Sequence, residues 1–461
     1  MAEPWALSAT ELLAAYRERA LSPVEVMTSI LERAGRINPS INAYREIDAA
    51  AAMTAARQSE TRWARGEPSG RLDGVPVSVK DLTLTRGMAT LRGSLTISPD
   101  QSWDVDAPAV ANLRAEGAII FGKTTTSEFG NKIVTESPLT GITRNPWNLE
   151  RTSGGSSGGA GAAVAAGLGP LALGSDGGGS IRNPANWCGV FGYKPSFRRI
   201  ADPSPAFSGL TVLGSLTRSV PDAALMLAVM ADRADEQDCQ AVRWGDDISA
   251  TFESGVRGLR IAYSPDLGLA EVEPSIARCV AAAARLLRDM GAHIEQVDVP
   301  QLQTYVDSRM HGVQWIVNLA ATVNGIAPEK RQLIDLDTLA LAEIAPEIPV
   351  SAYHAALSAR ERLAQEMHLF FSDYDLLICP TFHVGAPKVP GVPESLREAP
   401  RFTSWVNQTM QAAASIPCGF DADGLPVGLQ IVGRRMNDAM VLRAARAYEQ
   451  ARGPFPMPPL S

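Results

Sequence analysis

The alternation of polar and apolar positions opens the chain on helices. Ser8 stands three residues before Glu11 in "SATELLAAYRERA", and Ser22 stands three before Glu25, with Pro23 at the first helical turn. Each serine–glutamate pair is a capping box, in which the two side chains satisfy each other's free amides. The alanine-rich residues 46–65 predict a third helix. "GVPVSVKDL" (74–82) predicts a buried strand running into Lys80-Asp81, and "AIIFGKT" (118–124) predicts another. A short helix over 106–116, stopped by Gly117, lies between them.

Residues 152–200 are glycine-rich, with one apolar helical insert, "AGAAVAAGLG". A strand at 259–263, a helix at 275–290 and a strand at 293–299 follow as a βαβ pattern. "YDLLICP" (374–380) predicts a further buried strand. "GFDADGLPVGLQIVG" predicts a hairpin turning at Asp423-Gly424, and the last helix starts at Asn437. The polar, acidic stretch 233–256 and the proline-rich stretch 385–404 read as loops. A chain of 461 residues is long enough for a second lobe or a second domain. Neither loop has the composition of a linker, so residues 1–461 are expected to form one compact α/β unit.

Composition narrows the function classes. A net charge of −8 argues against a nucleic-acid binder, which would present a basic face. No apolar run is long enough to span a bilayer. The start, "MAEPWALSATELL", lacks the basic and apolar regions of a secretory signal. The five cysteines form no CxxC pair and read as buried thiols in a reducing cytoplasm, with no disulfide frame and no metal site. The expectation is a cytoplasmic protein without metal or cofactor, a monomer or a homodimer.

"SDGGGSIR", Ser175 to Arg182, is the stretch that needs a chemical reason, because three consecutive glycines cost backbone entropy. The motifs argue against a nucleotide cradle. No GxxxxGK[ST] is present, and neither Gly159-Ala160-Gly161 nor Gly167-Leu168-Gly169 is followed by the third glycine. A merely flexible linker would not be interrupted by an apolar helix. Nucleophilic catalysis by Ser180 remains, and it requires a base. One of the five histidines, all far downstream, could fold back. A lysine is the other option, since burial removes solvation from the ammonium and leaves a neutral amine. Lys80, at the end of a run containing Val75, Val77 and Val79, has the right surroundings.

"VPVSVKD" around Lys80, "GGSSGG" at Gly154 to Gly159 and "SDGGGSIR" together resemble the amidase signature family of serine hydrolases. The spacing of Ser156 and Ser180 agrees with that family. "GKTTTSEFG", "NPWN", "NPANWCGVFGYKPSF" and "IPCGFDADGLPVGLQIVG" extend the likeness to the C-terminal helix. It is strongest over the catalytic core at 74–200 and weakest over the variable region at 233–410. The resemblance implies a single α/β domain with a large central mixed β-sheet covered by helices on both faces. It also implies a catalytic triad of Ser180 as nucleophile, Ser156 as a bridging serine after a cis peptide bond, and Lys80 as base. The amides of Gly177, Gly178, Gly179 and Ser180 would hold the oxyanion. Asp176 and Arg182 would brace the loop, and Ser157 and Ser153 would hydrogen-bond within the site.

The function expected from the resemblance is hydrolysis of amide C–N bonds through an acyl-enzyme. The small-molecule substrates expected are uncharged aryl or alkyl amides, with carbamates (urethanes) and esters inside the same tetrahedral chemistry. The alternative is the glutamine-hydrolysing component of a tRNA-dependent amidotransferase, which works only with partner subunits. The stretch "YVDSRMHGVQWIVNLAATVNGI" bears on the choice. It is either ordinary helix core or a border of the acyl pocket, where Trp315 and Tyr305 would favour an uncharged group.

Overall fold

Eleven strands form one mixed sheet in the computed structural model, which describes residues 3–203, 209–241, 248–391 and 401–460. In chain order they are β1 (Tyr44–Ile47), β2 (Pro76–Lys80), β3 (Ile119–Thr124), β4 (Leu171–Asp176), β5 (Phe191–Lys194), β6 (Val212–Thr217), β7 (Arg260–Tyr263), β8 (His293–Gln296), β9 (Leu376–Pro380), β10 (Ala413–Phe420) and β11 (Pro426–Gly433). Their order across the sheet is β1-β3-β2-β4-β6-β5-β10-β11-β9-β7-β8. β3, β2 and β4 run parallel, as do β9, β7 and β8, and antiparallel pairs join these two groups.

Alternation along the strands divides the interior into cores on the two faces. Leu171, Leu173, Ile261 and Ile378 face one side, with Val110, Met226, Val280 and Leu442 from the helices Pro108–Ala115, Val220–Met230, Pro274–Asp289 and Asp438–Arg452. Ala172 and Phe121 face the other side with the helices Pro23–Ile41, Ala49–Arg65 and Gly158–Ala165. Further along the same face, Ala262, Leu377 and Cys379 meet the helices Val350–Asp373 and Arg401–Gln408. The expected α/β sheet covered on both faces is therefore present.

Both capping boxes form, Ser8 with Glu11 and Ser22 with Glu25. The predicted βαβ unit is β7, the helix Pro274–Asp289 and β8, and the predicted hairpin is β10–β11. Asn437 occupies the cap position of the last helix without a capping side-chain bond. The third helix begins later than expected, at Ala49, because Tyr44–Ile47 leaves the helical pattern to pair with β3. β4 and β5 carry no separate signal within the glycine-rich pattern of 152–200, and β6 lies beyond it, where no element is predicted. They are continuous buried strands, which lack alternation because both faces are covered. The acidic stretch 233–256 holds two short helices, Ala234–Gln237 and Ile248–Thr251, while 242–247 and the 392–400 part of the proline-rich stretch lie outside the described residues. Of the cysteines, only Cys188 and Cys379 are buried. Cys279 and Cys418 are half-buried and Cys239 is exposed, so the expectation of five buried thiols holds only in part. No described helix is long and apolar enough to cross a membrane.

Candidate active site

The site lies where β2 and β4 end. These strands are parallel neighbours, with Val77 beside Leu171 and Val79 beside Leu173. That register carries Lys80, the last residue of β2, to the level of Ser175 and Asp176 at the end of β4. Carboxyl ends of parallel strands are where open α/β sheets bind ligands.

Lys80 is wholly buried. Its Nζ lies 2.7 Å from Ser156 Oγ, 2.8 Å from Ser157 Oγ and 3.1 Å from Ser175 Oγ. Burial, opposed by the charge of Asp176, lowers its pKa to about 7. The three hydroxyls are not equivalent. Ser157 donates its proton to the Ser175 carbonyl at 3.1 Å, so toward Lys80 it can only accept. Ser156 Oγ has no other hydrogen-bond partner among the described residues, which leaves its proton free to pass to a neutral amine. The peptide bond between Gly155 and Ser156 is cis. Directly after these serines comes the helix Gly158–Ala165. Gly158 is obligatory for close approach, since a Cβ there would collide with Ser153 Oγ and Thr135 Oγ1.

Ser180 lies in the loop between β4 and the helix Arg182–Cys188. It alone from Leu171 to Cys188 is not fully buried. Its carbonyl accepts from Ser157 N at 3.1 Å, and its hydroxyl has no partner among the described residues. The amides of Gly177, Gly178 and Ser180 likewise donate to no acceptor among the described residues. Gly179 is different: its N–H is committed to Asp176 Oδ1 at 2.8 Å. Of the four amides expected to hold an oxyanion, that of Gly179 is thus already engaged. Gly179 has φ +126°, a conformation that glycine adopts readily.

Asp176 and Arg182, both fully buried, pin this loop through a two-pronged ion pair. Asn407, on the helix Arg401–Gln408, donates to the Asp176 carbonyl at 2.9 Å, and Thr403 Oγ1 donates to the Gly178 carbonyl at 2.7 Å. Arg182 also reaches Gln430 Oε1 at 2.8 Å. Ser153 lies apart from the lysine, and its hydroxyl donates to the Thr143 carbonyl at 3.1 Å. Sequence reasoning missed Ser175, Thr403 and Asn407. Ser175 was visible inside the motif. The other two come from a helix more than 200 positions away, with no local signal.

The histidine alternative has a partial counterpart. His311, on the helix Met310–Asn324, does fold back, but onto Gly178 and away from the lysine–serine cluster. Trp315, one turn on, packs against Gly177 and donates from Nε1 to Asn131 Oδ1 at 2.6 Å. The apolar stretch thus borders the site as well as forming core, with Leu319 and Val323 buried one and two turns further along the helix.

A family model described as Amidase matches residues 25–442. The chain is 36% identical over 460 residues to an acylamidase of Rhodococcus erythropolis, across 97% of this chain and 95% of that protein. It is 34% identical over 491 residues to the A component of the glutamyl-tRNA(Gln) amidotransferase of Anaeromyxobacter sp. (strain K), with 98% of each covered. Among solved structures, a bacterial aryl acylamidase of the amidase signature family superposes with a TM-score of 0.87 at 30% identity, over 96% of both chains. The 6-aminohexanoate cyclic dimer hydrolase gives a TM-score of 0.88 at 28% identity, over 98% of both chains. The chain belongs to the amidase signature family. It is an amidase, a hydrolase of amide C–N bonds.

Proposed function

We propose that this amidase is a free-standing acylamidase acting on uncharged aryl or alkyl amides, with Ser180 as nucleophile. One observation carries the assignment of Ser180: a buried lysine with pKa lowered to about 7 touches Ser156, while the partly exposed Ser180 sits beside amides that have no acceptor among the described residues.

Neutral Lys80 takes the proton of Ser156 Oγ, which takes that of Ser180 Oγ as the latter attacks the carbonyl carbon. The carbonyl π bond opens, and its oxygen takes the charge against the amides of Gly177, Gly178 and Ser180. Donors fixed in advance at a developing charge are commonly worth about 3–4 kcal/mol each. As the C–N bond breaks, the proton returns from Lys80 through Ser156 to the departing nitrogen, which leaves as a neutral amine. Water then attacks the acyl-Ser180 ester by the same proton route, releasing the acid and restoring the serine. Carbamates and esters pass through the same tetrahedral adduct.

The similarity to the amidotransferase component supports a second reading, glutamine hydrolysis inside an assembly. The aromatic shelf of Trp315 beside Gly177 favours the first. Assay of the purified protein on 4-nitroanilides, carbamates and esters separates them. Turnover by the isolated protein is expected. Release of ammonia from glutamine only with partner subunits would overturn the free-standing reading.

A further inference from the structure

The helix Met310–Asn324 lays two rings on the glycine loop. A Cβ at residue 178 would lie 2.9 Å from both Cε1 and Nε2 of His311, and one at residue 177 would lie 3.1 Å from Trp315 Cζ3. The rings stack on each other with centroids 5.4 Å apart and planes 28° apart. Bare backbone at 177 and 178 therefore lets these side chains descend onto the loop whose amides face the reacting carbonyl.

The hydrogen bonds around His311 fix its tautomer. Gln314 Nε2 donates to the Met310 carbonyl and to Gln408 Oε1, both at 3.1 Å. Gln408 must then turn its Nε2 to His311 Nδ1, 3.4 Å away. A ring nitrogen that faces a donor is the unprotonated one, so the ring proton sits on Nε2, one of the two ring atoms over Gly178. Burial, opposed by the charge of Asp176, lowers the His311 pKa to about 4, and the ring is neutral at pH 7. Nε2 has no hydrogen-bond partner among the described residues.

We propose that His311 is a specificity-determining residue whose neutral Nε2–H selects acyl groups carrying a hydrogen-bond acceptor next to the carbonyl, such as the alkoxy oxygen of a carbamate, over all-carbon acyl groups of the same size. This rests on the hydrolase reading above. It goes further by assigning the polarity of the acyl side to one side chain on a helix outside the catalytic motifs. Trp315 supplies the apolar wall beside it, and Gln408 is the positioning residue that sets the tautomer.

The test uses a matched pair, 4-nitrobutyranilide and ethyl N-(4-nitrophenyl)carbamate, which differ by oxygen for methylene at the critical position. In His311→Phe, the carbamate-to-amide ratio of kcat/KM is expected to fall about tenfold from its wild-type value, the worth of one neutral hydrogen bond. His311→Gln, which restores a donor, is expected to recover part of the ratio. A purely structural role for the ring would slow both substrates together. An unchanged ratio in His311→Phe, with its melting temperature kept, overturns the inference and leaves the hydrolase reading intact. A wild-type protein that cleaves neither substrate overturns both.

Discussion

Arg182 grips both carboxylate oxygens of Asp176, Nε to Oδ2 at 3.0 Å and Nη2 to Oδ1 at 2.9 Å, with neither side chain reaching solvent. Burial alone would raise the Asp176 pKa. The charge and hydrogen bonds of Arg182, with Lys194 and Asn407, overcome it and hold the carboxyl well below the usual range. Asp176→Ala would strand the guanidinium, a loss of about 3–5 kcal/mol for a buried pair. It would also free the Gly179 amide. Urea unfolding should show the destabilisation and an anilide assay the lost activity. Because the folded pKa is depressed, this contribution is whole above about pH 4 and disappears as pH falls further.

The Lys80 pKa, lowered to about 7, sets the sign of the pH dependence. Below it the amine carries its proton and cannot accept one, so kcat/KM should climb as pH rises through about 7. Lys80→Met keeps the chain length and apolar contacts and should lose about 10²–10⁴-fold in kcat, the usual range for a removed base. A flat profile from pH 6 to pH 9 in the wild type, or normal turnover in Lys80→Met, would be incompatible with the assignment.

Neighbouring serines should respond differently. On the proposed mechanism Ser156→Ala removes the proton relay between Ser180 and Lys80 and should abolish turnover. Ser157→Ala removes one acceptor of Lys80 and one bond to the Ser175 carbonyl, for a loss of about tenfold. Equal losses in single-turnover assays of the two variants would sink the distinction.

Gly179→Ala should lose most of its activity for two reasons. Its φ of +126° is unfavourable for alanine, and the new Cβ would collide with Thr403 Oγ1 and lie 2.8 Å from Asn183 Nδ2. Displacing the adjoining amides should cost about 10²–10³-fold in kcat. Full activity with an unchanged melting temperature would contradict the placement of this loop.

Legibility differed from residue to residue. Lys80, Ser156 and Ser180 stand in short motifs, and the capping boxes are local hydrogen-bond patterns, so each could be read along the chain. β4 and β5 could not be separated within 152–200, because strands buried on both faces carry no alternation. The capture of the Gly179 amide by Asp176 was not legible, since that bond is fixed only by the turn between them.

The order of residues by itself determined the chemical parts: a lysine at the end of an apolar strand, paired serines, and a glycine run that leaves amides uncovered. These are set by covalent neighbours. The tertiary structure decided what those parts face. Only the parallel register of β2 and β4 brings Lys80 to Ser175, and only the packing of distant helices sets Asn407 on Asp176 and His311 on Gly178. Such contacts depend on how layers close over the sheet, and no local pattern records that closure.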